Sequence, residues 1–208
     1  HTLKVARCAD VACKAQATIS TISNTGTPGG HPIAIIVGWD GNGLIAYYDQ
    51  DNKDLKVAHC DNAACTSATI ATVDSVGDVG QYASMVLPID GGGALISYYD
   101  ATLGQLKVAR CEDGPCTGAT ITPAGPVAGF PYGTSTSVTM GTDGFGLISY
   151  KVHTAEDLQV MHCTNSACST MVRNVIDTTG DVGSNSSVTI GADGLGIISY
   201  VDATNKRL

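Results

Sequence analysis

The chain repeats itself four times, and that repetition limits its fold more than any single residue does. LKVARC begins at Leu3, LKVAHC at Leu55, LKVARC again at Leu106 and LQVMHC at Leu158, at offsets of 52, 51 and 52 residues. The 208 residues hold four such units with almost nothing left over. They run approximately over residues 3–54, 55–105, 106–157 and 158–208, as one domain spanning 1–208.

Every unit carries the same order of segments. A short stretch before an Asp-Gly pair (AIIVGWDG, SMVLPIDG, SVTMGTDG, SVTIGADG) is followed by a second stretch (GLIAYYD, ALISYYD, GLISYKV, GIISYVD). A polar turn leads into the LKVARC run, then a Cys-x4-Cys loop, then a segment such as ATIATVD. The segments are short, rich in Val, Ile, Thr and Tyr, and bounded by Gly, Asp and Asn, which reads as four strands per unit. The 25 glycines and 7 prolines oppose long helices. A small residue recurs in the first strand at Ala34, Ser84, Ser137 and Ser187, as a crowded inner strand near an axis requires. Units of about 50 residues with four strands predict an all-β chain, a β-propeller of four-stranded blades. The chain starts at a third strand and stops after a second, so a closing blade takes two strands from each end. Leu208 falls where a further third strand would begin. The reading therefore expects a part of a larger ring, or two copies that complete each other.

The eight cysteines form pairs at constant spacing: Cys8 with Cys13, Cys60 with Cys65, Cys111 with Cys116, and Cys163 with Cys168. A hairpin that closes over four residues places two Cβ atoms within disulfide reach. An even count at fixed spacing reads as a disulfide framework from an oxidising compartment, hence an extracellular protein. Zinc is the competing reading, prompted by His59 and His162 beside Cys60 and Cys163. Pairs on the outer edges of different blades point apart and do not give the four convergent ligands zinc needs.

The unit ISYYDATxGxLKVARCxxxxCxxATI resembles tandem repeats of secreted bacterial proteins that look like sialidase-type or lectin-type β-propellers. The resemblance covers essentially the whole chain. It implies a propeller and leaves activity open. Sialidase propellers carry an Asp-box, Ser-x-Asp-x-Gly-x-x-Trp. Here the corresponding turn is Thr142-Asp143-Gly144-Phe145-Gly146, with the glycines displaced and no Trp. A sialidase site also needs an arginine triad, and the four arginines here are Arg7, Arg110, Arg173 and Arg207. Arg7 and Arg110 share one repeat position away from the axis. The only glutamates are Glu112 and Glu156, so paired carboxylates for glycoside chemistry would have to be aspartates. Asp49, Asp100 and Asp202 recur with the repeat and read as turn caps.

The net charge of -8 excludes a phosphate backbone as a partner. The longest apolar stretch, Ile33 to Val37, is about five residues, far short of a membrane span. Residues that break the repeat on the face of the interblade connections are the candidates for binding: His31, Asp78, Tyr82, Tyr132, Asp181 and Asn185. Aromatic rings beside Asp and Asn suit a sugar, with a ring to stack on and acceptors for hydroxyls. Phe130 and Tyr132 also read as packing for their long loop, and Trp39 reads as packing. Calcium draws on Asp49, Asp51 and Asp54, but one Asp per turn falls short of six to eight oxygens; no cofactor is expected. The sequence thus predicts a secreted, non-enzymatic module that binds a glycan or other cell-surface ligand. The alternatives are a structural repeat that self-associates through the chain ends, and a sialidase-like glycoside hydrolase.

Overall fold

The structure is a computed structural model that describes residues 2–22, 26–125 and 132–205; of Tyr132 and Gly133 it describes the backbone alone. All regular structure among these residues is β. The strands are β1 (Leu3–Arg7), β2 (Thr18–Ile22), β3 (Ala34–Val37), β4 (Gly43–Asp49), β5 (Asp54–Cys60), β6 (Ala68–Asp74), β7 (Val79–Val86) and β8 (Leu95–Asp100). They continue as β9 (Gln105–Cys111), β10 (Ala119–Pro123), β11 (Tyr132–Met140), β12 (Gly146–Val152), β13 (Asp157–Cys163), β14 (Met171–Asp177), β15 (Val182–Ile190) and β16 (Gly196–Asp202). The expected four strands per unit are present.

The sheets cross the unit boundaries. β3–β6, β7–β10 and β11–β14 form three four-stranded antiparallel sheets in sequence order, while β1–β2 and β15–β16 form two-stranded sheets. Each complete sheet therefore joins the last two segments of one repeat, its own first and second strands, to the first two segments of the next. The Asp-Gly turns join first and second strands, with Gly41, Gly91, Gly144 and Gly194 at φ of 78–82°, a conformation glycine adopts without steric cost. The Cys loops join third and fourth strands. Asp10, Asn62, Asp113 and Asn165 fold each loop back by accepting backbone N–H groups, as in Ala12 N to Asp10 Oδ1 at 2.8 Å and Ala64 N to Asn62 Oδ1 at 3.1 Å. All four predicted disulfides form, with Cα–Cα distances of 4.8–4.9 Å.

Neighbouring sheets bury apolar faces against each other, because second and third strands are apolar on both sides. Leu44, Leu55 and Val57 pack against Met85, Ile96 and Tyr98. Leu95, Leu106 and Val108 pack against Val138, Ile148 and Tyr150 in the next interface. Leu3 and Ile22 of the first half-sheet cover Ile45, Tyr47 and Ala58. The small residues of the first strand tie adjacent sheets together: Val138 N donates to Ser84 Oγ and Val188 N to Ser137 Oγ, both at 3.1 Å.

A polar ladder lies inside this apolar stack. Asp49, Asp100 and Asp202 cap their turns as the sequence predicts, accepting from the backbone N–H of Asp51, Leu103 and Asn205. Asp49 and Asp100 are also fully buried and ion-paired, with Lys56 and Lys107 respectively. Burial pushes the Asp49 carboxyl up, but Asn52, Lys56 and the Thr27 N–H hold it down at about 2. Lys107 lies 2.9 Å from Asp100 Oδ2 and 3.1 Å from Asp74 Oδ2, which also accepts the Tyr98 hydroxyl at 2.7 Å. Burial pulls the Lys107 ammonium down, and the two carboxylates outweigh it, leaving its pKa above the ordinary lysine value.

Candidate functional site

Two of the predicted residues sit on a repeated backbone irregularity. Tyr82, Ser135 and Asn185 occupy the same place in β7, β11 and β15, at φ of 56°, 56° and 52°. The register against the second strand shifts at each of them. A bulky residue at positive φ costs about 1–2 kcal/mol, so the surrounding structure must hold it there. Part of that hold comes from close packing upstream. A Cβ on Gly80 would meet the Leu55 backbone at 2.7 Å, and one on Gly183 the Leu158 backbone at 3.0 Å. The rest comes from Thr136 Oγ1, which donates to the Tyr82 carbonyl at 3.2 Å, and Ser186 Oγ, which donates to the Ser135 carbonyl at 2.9 Å.

The irregularity turns these residues onto a cavity of about 350 Å³ where the first strands converge; Tyr82, Ser135 and Asn185 all line it, opposite Pro32 and Ile33. The His31 ring stands edge-on to Tyr82 at 4.9 Å and to Tyr48 at 5.2 Å, with Tyr99 6.4 Å beyond Tyr82. Asp78 Oδ1 accepts from the Tyr48 hydroxyl at 2.8 Å and from Gln81 Nε2 at 3.0 Å, and Lys53 stands 3.7 Å from the other oxygen. His31, Asp78 and Tyr82 thus form one cluster, and Tyr82 links it to the cavity that Asn185 shares.

Asp181 is not part of the cluster. It occupies the Asp78 position of a later unit: each donates its backbone N–H to a threonine hydroxyl, Thr102 or Thr204. There Lys151 replaces the tyrosine and pairs with the Asp181 carboxylate. Tyr132 opens β11 opposite Val152; its ring, and Phe130, lie outside the described residues. Sequence reasoning missed Tyr48, Gln81 and Tyr99. Tyr48 and Tyr99 hid inside the repeated second strand, where a tyrosine reads as core. The one hint in the sequence was that this position changes chemistry between units, from Tyr48 and Tyr99 to Lys151 and Val201.

Two pKa shifts describe the cluster. Burial lowers the His31 imidazole below its usual 6.5, and the Asp78 charge opposes this without overcoming it. Burial, and the hydrogen bond to Asp78, push the Tyr48 phenol up to about 12. At pH 7 the His31 imidazole and the Tyr48 phenol are therefore mainly neutral. Asp78→Asn is expected to lower the His31 pKa further, since it removes the charge that favours the imidazolium. A histidine titration by NMR reads this directly, and an unchanged or raised pKa would contradict the arrangement.

A second cavity, of about 400 Å³, lies near the Asp-Gly turns of the second and third sheets and is lined by Trp39, Asp40, His59, Glu112 and Asp113 among others. Trp39 is 59% exposed and donates Nε1–H to the Gly92 carbonyl at 3.1 Å. It is a cavity wall rather than the packing residue the sequence suggested. His59 and His162, which prompted the zinc reading, each pair instead with an Asp-Gly turn carboxylate, Asp40 or Asp143, at 2.9 Å. Among the described residues no three His, Cys, Asp or Glu side chains converge as a metal site would need. Asp49 is engaged by Lys56 and Asn52, and Asp51 by Thr27.

No family model matches the chain, and no curated protein matches it. Solved structures do. A protein of unknown function from Dyadobacter fermentans DSM 18053 superposes with a TM-score of 0.60 at 18% identity, over 80% of this chain and 47% of that one. The chain thus spans about half the length of that relative. An α-L-arabinofuranosidase from Lactobacillus brevis superposes with a TM-score of 0.53 at 12% identity, over 92% of this chain and 74% of that one. At such identities the likeness is one of fold alone.

Proposed function

We propose that the side-by-side sheets are blades of a β-propeller and that the chain is a secreted, non-enzymatic module that binds a glycan through the His31–Asp78–Tyr82 face. The observation that carries the reading is the cluster itself: the His31 and Tyr82 rings 4.9 Å apart, the Asp78 carboxylate joined to them through Tyr48, and Tyr82 lining a cavity of about 350 Å³. Rings offer apolar faces to the C–H side of a sugar. Asp78, Gln81 and Asn185 offer acceptors and donors to its hydroxyls. Tyr82, Gln81 and Asn185 are held on strands, with His31 and Asp78 on the connections that lead into β3 and β7, so little ordering entropy is lost on binding. Binding fits better than bond cleavage because the face offers one carboxylate per cluster, and Asp181 on the equivalent site is held by Lys151. Four disulfides suit an extracellular setting, and no helix is long and apolar enough to cross a membrane among the described residues.

A glycan array with the purified protein, run with and without EDTA, tests the reading. Selective binding that survives EDTA is the expected result. Tyr82→Gly should weaken it about tenfold or more by removing the ring while easing the positive φ. Binding to no glycan, or equal binding by Tyr82→Gly, would sink the proposal.

A further inference from the structure

Every complete sheet has a seam where its second strand meets its third, and the seam has a fixed register. Tyr47 stands opposite Lys56, Tyr98 opposite Lys107 and Tyr150 opposite Gln159. Charges mark the turn end of all three seams and the far end of the first two. At one end the last residue of the second strand pairs with the lysine of the third: Asp49 with Lys56, Asp100 with Lys107. At the other end the Asp-Gly turn pairs with a basic residue of the third strand: Asp40 with His59 at 2.9 Å, Asp90 with Arg110 at 2.7 Å, Asp143 with His162 at 2.9 Å.

The two half-sheets carry the separated halves of such a seam. β16 has the second-strand sequence, with Asp202 at its end and Asp193 in the turn before it. β1 has the third-strand sequence, with Lys4 and Arg7 at the matching positions. They belong to different sheets, and Lys4 and Arg7 are exposed.

The apolar surface is divided in the same way. Ile35 on β3 is 60% exposed, whereas Met85 and Val138 at its position are 6% and 7% exposed. Ile197 on β16 is 59% exposed, whereas Leu44 and Leu95 at its position are 1% exposed. At complete interfaces that leucine sits over a glycine of the next sheet. A Cβ on Gly146 would meet Leu95 at 2.6 Å, and one on Gly196 would meet Leu147 at 2.7 Å. Gly43 is the corresponding glycine of the second sheet. Gly43 lines a trough of about 190 Å³ between β1 and β3, together with Val5, Arg7, Ile35 and Val37, and a further trough of about 270 Å³ between the same two strands is lined by Leu3, Val5, Ile33, Ile35 and Ile45.

We propose that a second copy of this chain docks head to tail, its β16 adding antiparallel to β1 with Tyr200 opposite Lys4. This register forms the pairs Asp202–Lys4 and Asp193–Arg7, and it seats Ile197 over Gly43. Strand addition satisfies the backbone groups that β1 and β16 leave unpaired among the described residues, which otherwise template unspecific pairing. The two surfaces differ, so the contact is heterologous: copies add in one direction, to a ring if the rotation closes and to a row if it does not. The proposal does not depend on the glycan site.

The test is light scattering across a concentration series, with carbodiimide cross-linking of a mixture of isotopically light and heavy protein. The expected results are a mass that rises with concentration above 21.2 kDa and a Lys4–Asp202 cross-link joining light to heavy peptides. Lys4→Glu with Arg7→Glu should associate at least about tenfold more weakly, as should Asp193→Arg with Asp202→Lys, and mixing the two variants should restore association. A monomer at every concentration overturns the proposal. So does a Lys4–Asp202 cross-link confined to single-isotope peptides, which would mean closure within one chain. Association that neither variant weakens overturns it as well.

Discussion

Lys107→Met is expected to destabilise the protein by about 3–5 kcal/mol, the cost of breaking a buried ion pair from one side. Lys107 is the one cation between Asp74 and Asp100, and both carboxylates are buried. Without it two negative charges remain inside the stack, and one must take up a proton or draw water in. The midpoint of a urea titration should fall while its slope holds. The protein itself shows how the cluster can be dismantled without that cost. In the third complete sheet Val152 stands for Asp100, Gln159 for Lys107, and Gly125 for Asp74. There the Tyr150 hydroxyl donates to Gln159 Oε1 at 3.0 Å, as Tyr98 does to Asp74. The triple variant Asp74→Gly, Asp100→Val, Lys107→Gln should therefore recover most of what Lys107→Met loses. If the triple variant were less stable than the single one, the charges would be acting through something other than mutual compensation.

Reduction of the four disulfides is expected to have the largest effect. Each closes a loop between residues five apart in sequence, and the loop-entropy relation gives about 2 kcal/mol for a loop so short. Four together amount to about 8 kcal/mol, which is comparable to the whole stability of an ordinary domain. Denaturant titrations with and without reductant should show the reduced chain largely unfolded or far less stable. An unchanged midpoint would mean that the Asp and Asn side chains at the head of each loop already hold the hairpins without the sulfur bridge.

The strands, the turns and the cysteine pairing were legible in the sequence because they are local and repeated. An Asp-Gly pair between two apolar runs specifies a hairpin by itself, and four identical spacings remove the ambiguity that one would leave. Half of the candidate site was legible for the opposite reason. His31 and Tyr82 differ from the residues at their positions in the other units, and the structure brings them together with Asp78. Tyr48 was not legible, because it occupies a repeated position, and its hydroxyl turns toward Asp78 only across a sheet-to-sheet contact that no local pattern encodes. Asp181 was misleading. It stands at the Asp78 position two units later, but Lys151 from the neighbouring sheet pairs with it, and that pairing spans 30 residues. Trp39 was misread because burial depends on what faces a residue, and the face beside it is a cavity.

The sheets that straddle the repeat boundaries have a bearing on heredity. Unequal exchange between two aligned copies of the repeat in DNA adds or removes one whole period. Wherever the exchange falls within the period, the protein then gains or loses one unit, and every remaining second strand still precedes a third strand that matches it. Whether the splice falls inside a hydrogen-bonded sheet or in a connection between sheets, the new junction is stabilised by the same contacts as the old ones. A lineage carrying such a gene can change the length of this protein in single steps of about 51 residues, with no intermediate that must fold around a foreign joint.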